Sequence, residues 1–139
     1  MKVLKIAISV ALAASLASLV ALNLSGFSYA HGRWLSDEEF LQIAANTAAA
    51  RRLGNVIYAS GEALITANPG CCHVLREGDQ WSDESWRFLG WYIVIVRLRY
   101  RISSPGSPDE EKYYSHRMAI GASGRIYDET GTKIPGQES

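Results

Sequence analysis

The chain has little that would name a chemistry. Its 139 residues contain two cysteines, and these are adjacent, Cys71-Cys72. Neighbouring Cα atoms across a trans peptide lie ~3.8 Å apart, below the ~4.4 Å at which ordinary disulfides begin. A staple between distant segments is therefore excluded, and so is any zinc or redox motif built on CxxC spacing. The nucleophile elbow is missing, because Gly121-Ala122-Ser123-Gly124 lacks the Gly-x-Ser-x-Gly order. Thr130-Gly131-Thr132-Lys133 lacks the surrounding glycines of a phosphate loop. Excess charge is absent too: 14 Lys and Arg balance 14 Asp and Glu, so composition gives no support to a nucleic-acid partner. There is no internal repeat and no low-complexity tract.

What is present begins with an uncharged run, Ile6–Leu22, preceded by Lys2 and Lys5. Gly26 breaks it, and Ser28-Tyr29-Ala30 places small residues at −3 and −1 of a cleavage site before His31. Residues 1–30 are thus expected to be a secretory signal peptide, with a retained membrane anchor as the alternative, since the run is at the lower edge of the ~17–25 residues that span a bilayer. On either reading the Lys-bearing end stays cytoplasmic and the rest is exported, periplasmic or secreted. Residues 31–130 are expected to form one small domain, and 131–139 a flexible polar tail.

The domain is organised around Trp91–Ile102, WYIVIVRLRYRI, which reads as a strand rich in β-branched and aromatic residues. Tyr92, Val94, Val96, Leu98, Tyr100 and Ile102 share one face by the period of two. The other face carries Trp91, Ile93 and Ile95 and then Arg97, Arg99 and Arg101. Ser36 with Glu39 forms a capping box opening a helix over 37–53, with Phe40, Ile43, Ala44, Thr47 and Ala50 on one stripe. Residues 55–67 read either as a second short helix or as two extended pieces broken at Ser60-Gly61. Further strands are expected at 71–76, 112–121 and 125–129, with 103–111 as a Pro- and Gly-bearing loop. The sum is α+β: an N-terminal helix, then one amphipathic helix packed on a curved, mainly antiparallel sheet of about four strands. This order resembles that of cystatin-like and nuclear-transport-factor-like folds, which host enzymes, inhibitors and scaffolds alike.

The candidate contact surface is Arg97, Arg99 and Arg101 at ~7 Å intervals, joined by Arg117 if it falls on the same face. Guanidinium forks suit carboxylate and phosphate oxygens, so the expected partner is an acidic protein surface or a small anionic ligand. The plainer account is a ladder of cross-strand ion pairs to Asp128, Glu129 or Asp109–Glu111. Trp86 and Trp91 belong to a series with Trp81, spaced by five, that fits neither helix nor strand and would line the approach to the Arg face. The function expected is a non-catalytic binding or accessory module; a membrane-anchored accessory subunit of an envelope complex is a variant of it. The alternative class is a small exported hydrolase using His116 with Asp128. No cofactor is expected. Cys71, His73 and His116 could share a face, one ligand short of structural zinc; otherwise Cys72 is a small buried hydrophobe and Cys71 is partly exposed.

Overall fold

A computed structural model describes residues 2–51, 58–75, 92–104 and 107–135. The first helix, α1 (Lys2–Leu24), is followed by a small hairpin of β1 (Phe27–Ser28) and β2 (Arg33–Trp34). Then come α2 (Asp37–Ala50), α3 (Gly61–Ala67), β3 (Cys72–Leu75), β4 (Ile93–Ser104), β5 (Ser107–Gly121) and β6 (Ile126–Pro135). The last four strands make one antiparallel sheet in the order β3-β4-β5-β6. The architecture is α+β with an N-terminal apolar helix, as its sequence implies. The segment Leu4–Leu24 is 21 residues long, apolar and unburied, compatible with either a signal peptide or a membrane anchor.

Helix α2 starts where the sequence directs. Ser36 accepts from the Glu39 amide, and the Glu39 carboxylate accepts from the Ser36 amide at 2.9 Å, satisfying donors that the first turn leaves orphaned. Arg33 of β2 donates to the same carboxylate at 2.7 Å, and this bond is the main cause that holds Glu39 at a pKa of about 2. The buried stripe is Phe40, Ala44, Ala45, Ala48 and Ala49, not the one through Thr47 and Ala50 that periodicity suggested; Ala50 is exposed. Alanine fits both stripes, so the docking surface decides. The helix ends at Ala50 with Arg51 as its cap, and the expected continuation through 52–53 lies outside the described residues.

The short helix of the two alternatives is the one that forms, with Ser60 as its N-cap. Asn46 Oδ1 accepts from the Gly61 amide at 2.9 Å, tying α3 to α2. At its other end Asn68 reaches the sheet. Its Oδ1 accepts from the Arg101 amide at 2.8 Å, and its Nδ2 donates to the Leu64 carbonyl and the Tyr58 hydroxyl. Tyr58 in turn donates to the Arg101 carbonyl at 2.8 Å. Strand β3 covers β4 only from Ile95 to Leu98, so these side chains stand in for a strand neighbour beyond it.

Two expectations about the strands need correction. Residues 103–111 do not form a loop: β4 runs to Ser104 and β5 begins at Ser107, with a register shift between Ile102 and Ser104. Proline and glycine in this stretch signal a break by composition, but composition alone does not say how far the flanking strands run. The last strand does not stop at Glu129 but continues to Pro135, opposite Lys112, through residues read as a polar tail. At the sheet edge only one flank needs a partner, so polar residues and a Pro are tolerated.

One face of the sheet carries Val94, Val96, Leu98, Tyr100, Ile102, Met118 and Ile120, which bury with Phe40, Leu64 and the α2 alanines in the main core. The opposite face holds a small cluster of Ile93, Ile95 and Ala119 with Leu75 beside it, and then the arginines.

Candidate functional site

The register decides which side chains meet on the second face. Arg97 stands directly opposite Arg117, Arg99 opposite Ser115 and Arg101 opposite Tyr113. Directly opposed residues of an antiparallel pair project to the same side, so all four arginines share the face turned away from α2. Arg97, Arg99 and Arg101 are exposed and Arg117 is half-buried. The Arg99 guanidinium lies 5.1 Å from the centre of the Tyr113 ring, a cation–π contact that leaves its N–H fork available to an acceptor. No described carboxylate forms an ion pair with Arg97 or Arg99. Asp128, opposite Ala119, is the acid of this face among the described side chains; Glu129, opposite Met118, points to the core side. On the other flank His73 pairs with Arg97. Trp86 and Trp91, expected to line the approach, lie outside the described residues.

The core side holds a polar assembly that sequence reading missed. His116 is 2% exposed, with Nε2 at 2.6 Å from Glu129 Oε1 and Nδ1 at 3.4 Å from the Tyr100 hydroxyl. Arg51, at the end of α2, forks onto the same carboxylate, Nε reaching Oε1 at 3.1 Å. Tyr114 closes the cluster, lying over Gly131 so closely that any β-carbon there would collide with its hydroxyl. A neutral imidazole that donates from Nε2 to Glu129 and accepts at Nδ1 from Tyr100 satisfies both contacts. Burial is the main cause that lowers the His116 pKa, outweighing the attraction of Glu129, with Arg51 lowering it further. For Glu129 burial opposes ionisation, but the Arg51 hydrogen bond leads the contributions that carry its pKa below the usual carboxylate value.

This overturns the pairing of His116 with Asp128. Asp128 falls on the arginine side of the sheet and His116 on the core side, because alternation puts adjacent Asp128 and Glu129 on opposite faces. The carboxylate that reaches His116 is Glu129. The three-ligand idea also fails geometrically: Cys72, opposite Leu98, shares the core side with His116, whereas His73 is on the other. Among the described residues no group of His, Cys, Asp and Glu is placed to hold a metal ion. The two cysteines do bond to each other, and their burial is the reverse of that expected, Cys71 buried and Cys72 half-buried. Cys71 sits before the strand, where it joins the main core cluster, and its carbonyl accepts from the Arg99 amide at 2.8 Å.

One signal in the sequence could have located this assembly: a histidine in phase with Met118 and Ile120. Its counter-charges come from segments remote in sequence, with Arg51 and Glu129 separated by 78 positions, and no local pattern joins them. The chain matches no family model, no curated protein and no solved structure; the site is read from its own chemistry.

Proposed function

We propose that this chain is an exported, non-catalytic binding or accessory protein whose contact surface is the arginine face of the sheet, and that its partner is acidic. The observation that carries the reading is the direct opposition of Arg97 and Arg117 beside an exposed Arg99. Like charges placed opposite one another destabilise a sheet, and Arg97 and Arg99 draw no ion-pair compensation from the described carboxylates. Such a cost is understandable where an external carboxylate or phosphate answers it. The Arg99–Tyr113 stack further suits recognition, since it fixes the plane of the fork before an acceptor arrives.

The test is retention of the full chain, in detergent, on immobilised poly-L-glutamate, with poly-L-lysine as the control surface. The wild type should bind the acidic polymer and elute with salt, because exposed charge pairs are screened over ~10 Å at 0.1 M ionic strength. Arg99→Glu should abolish retention while the circular dichroism and unfolding midpoint stay close to wild type. Unfolding of Arg99→Glu, with no retention of the wild type, would make the stripe a structural ladder instead.

A further inference from the structure

The sequence places a cleavage site between Ala30 and His31, yet the structure builds that stretch into a folded joint. Residues 25–34 form the β1–β2 hairpin, with Phe27 paired to Trp34 and Ser28 to Arg33. Cleavage before His31 would cut its turn and separate the two strands. Ser28, the −3 position, is 1% exposed, and its hydroxyl is 2.9 Å from His31 Nδ1 across the supposed cut. Gly26 (φ +82°) presses against the Tyr92 ring so closely that an added β-carbon would sit 2.6 Å from it. Only glycine combines that backbone with that contact. A segment destined for removal has no need of a fitted contact with Tyr92, the residue before β4.

The hairpin also faces what the helix needs. Phe27 stacks edge-on with Tyr29 and Trp34, ring centres 5.2 and 4.9 Å away, while Tyr29 and Trp34 remain 51% and 54% exposed. The Trp34 indole donates to Ser25 Oγ at 3.2 Å and the Tyr29 hydroxyl to the Leu19 carbonyl, fixing both rings at the end of α1. Tyr and Trp at the end of an apolar helix are the side chains that settle at a lipid–water boundary. The 21 unburied residues of Leu4–Leu24, at ~1.5 Å each, match the ~30 Å hydrocarbon thickness. The same hairpin adjoins the domain: Phe27, Tyr29 and Ala30 line, with Tyr92, Ser123 and Tyr127, a cleft of about 110 Å³, and Arg33 holds Glu39.

We infer that residues 1–30 are retained, that α1 spans the membrane, and that the Ser25–Trp34 hairpin is a lipid-interface joint fixing the domain at the bilayer surface. The surface it meets is a phospholipid bilayer, and the inference stands apart from what the arginine face binds. Along β4 the ~3.4 Å rise puts Arg97 and Arg101 ~17 and ~31 Å from Tyr92, beyond the joint.

The full chain, expressed with a C-terminal tag beside an Ala30→Leu variant, tests this. Leucine at −1 blocks removal of a signal peptide and occupies an exposed position. Both proteins should fractionate with membranes, require detergent, and show the intact 15.3 kDa chain plus tag. Wild type appearing as a soluble species starting at His31, with Ala30→Leu alone in the membrane, overturns the inference. In phosphatidylcholine vesicles brominated near the headgroup end of the acyl chain, wild-type tryptophan fluorescence should be quenched, and Trp34→Phe should lose most of that quenching. Equal quenching in the two overturns the interfacial placement of the hairpin.

Discussion

Arg97 and Arg117 face each other across the β4–β5 ladder, and like charges directly opposite one another destabilise a sheet. Relieving that opposition should stabilise the fold and harm the proposed function. Arg97→Thr puts a good strand former at an exposed site, and we expect a gain of ~0.2–1 kcal/mol from the lost repulsion, read as a higher urea midpoint. Retention on poly-L-glutamate should fall in the same protein. A lower midpoint would mean that Arg97 has a compensating contact, and the face would then be structural.

The assembly of buried His116 with half-buried Glu129 and exposed Arg51 makes a prediction about pH. The folded-state pKa of His116 lies below its ordinary value, so between that lowered value and ~6.5 the unfolded chain binds the proton and the folded chain does not. Stability therefore rises with pH across this window. The contribution is complete above about 6.5 and is lost progressively as the pH falls from there through the lowered folded value. Urea titrations at pH 7.5 and pH 5.5 should give the larger unfolding free energy at pH 7.5, and His116→Phe should flatten the difference. An unchanged difference in that variant would place the responsible proton elsewhere.

How much of this was legible follows from where each signal resides. The strand at 93–102 and the capped helix at Asp37 are written in neighbouring residues, through alternation and a four-residue box, and both form. The vicinity of Arg97, Arg99 and Arg101 is equally local. That Arg117 stands opposite Arg97 depends on the β4–β5 register, which pairs positions distant in sequence and which composition does not set. His116 finding Glu129 and not Asp128 is a matter of one residue of phase in β6. That phase is sensitive to the register shift between Ala119 and Ile120. Burial of Cys71 rests on its place in the main core cluster, and the role of Asn68 on a β4 edge that β3 is too short to cover.

That edge gives a sharp test. With Asn68→Ala, the Arg101 amide loses its acceptor and the Leu64 carbonyl and Tyr58 hydroxyl lose a donor. Leaving one such group unsatisfied costs about 1–3 kcal/mol when water cannot replace the partner, and Asn68 is buried. The global unfolding free energy should fall by that order. Hydrogen exchange should localise the effect, with the Arg101 amide exchanging faster relative to Val96 and Leu98, whose ladder bonds are untouched. A uniform acceleration across β4 would show that Asn68 acts only through overall stability.

The bond between Cys71 and Cys72 closes almost no chain, and this sets its energetic role. In the chain-entropy account a disulfide stabilises by restricting the unfolded ensemble, ~3 kcal/mol for a 15-residue loop and about 1 kcal/mol at most when the linked residues are neighbours. Reduction should therefore move the urea midpoint only slightly. Substitution is a different perturbation, because Cys71 is buried and serine would carry a hydroxyl into that site. Cys71→Ser should cost ~1–3 kcal/mol if the hydroxyl finds no partner, more than reduction does. Cys72→Ser, at a half-buried position, should cost less than Cys71→Ser. The order reduction below Cys71→Ser is the measurable content, read from urea curves with and without a phosphine reductant. If reduction alone costs more than Cys71→Ser does, the bond must fix the backbone that presents the Cys71 carbonyl to Arg99. The disulfide would then be part of how the arginine strand is held.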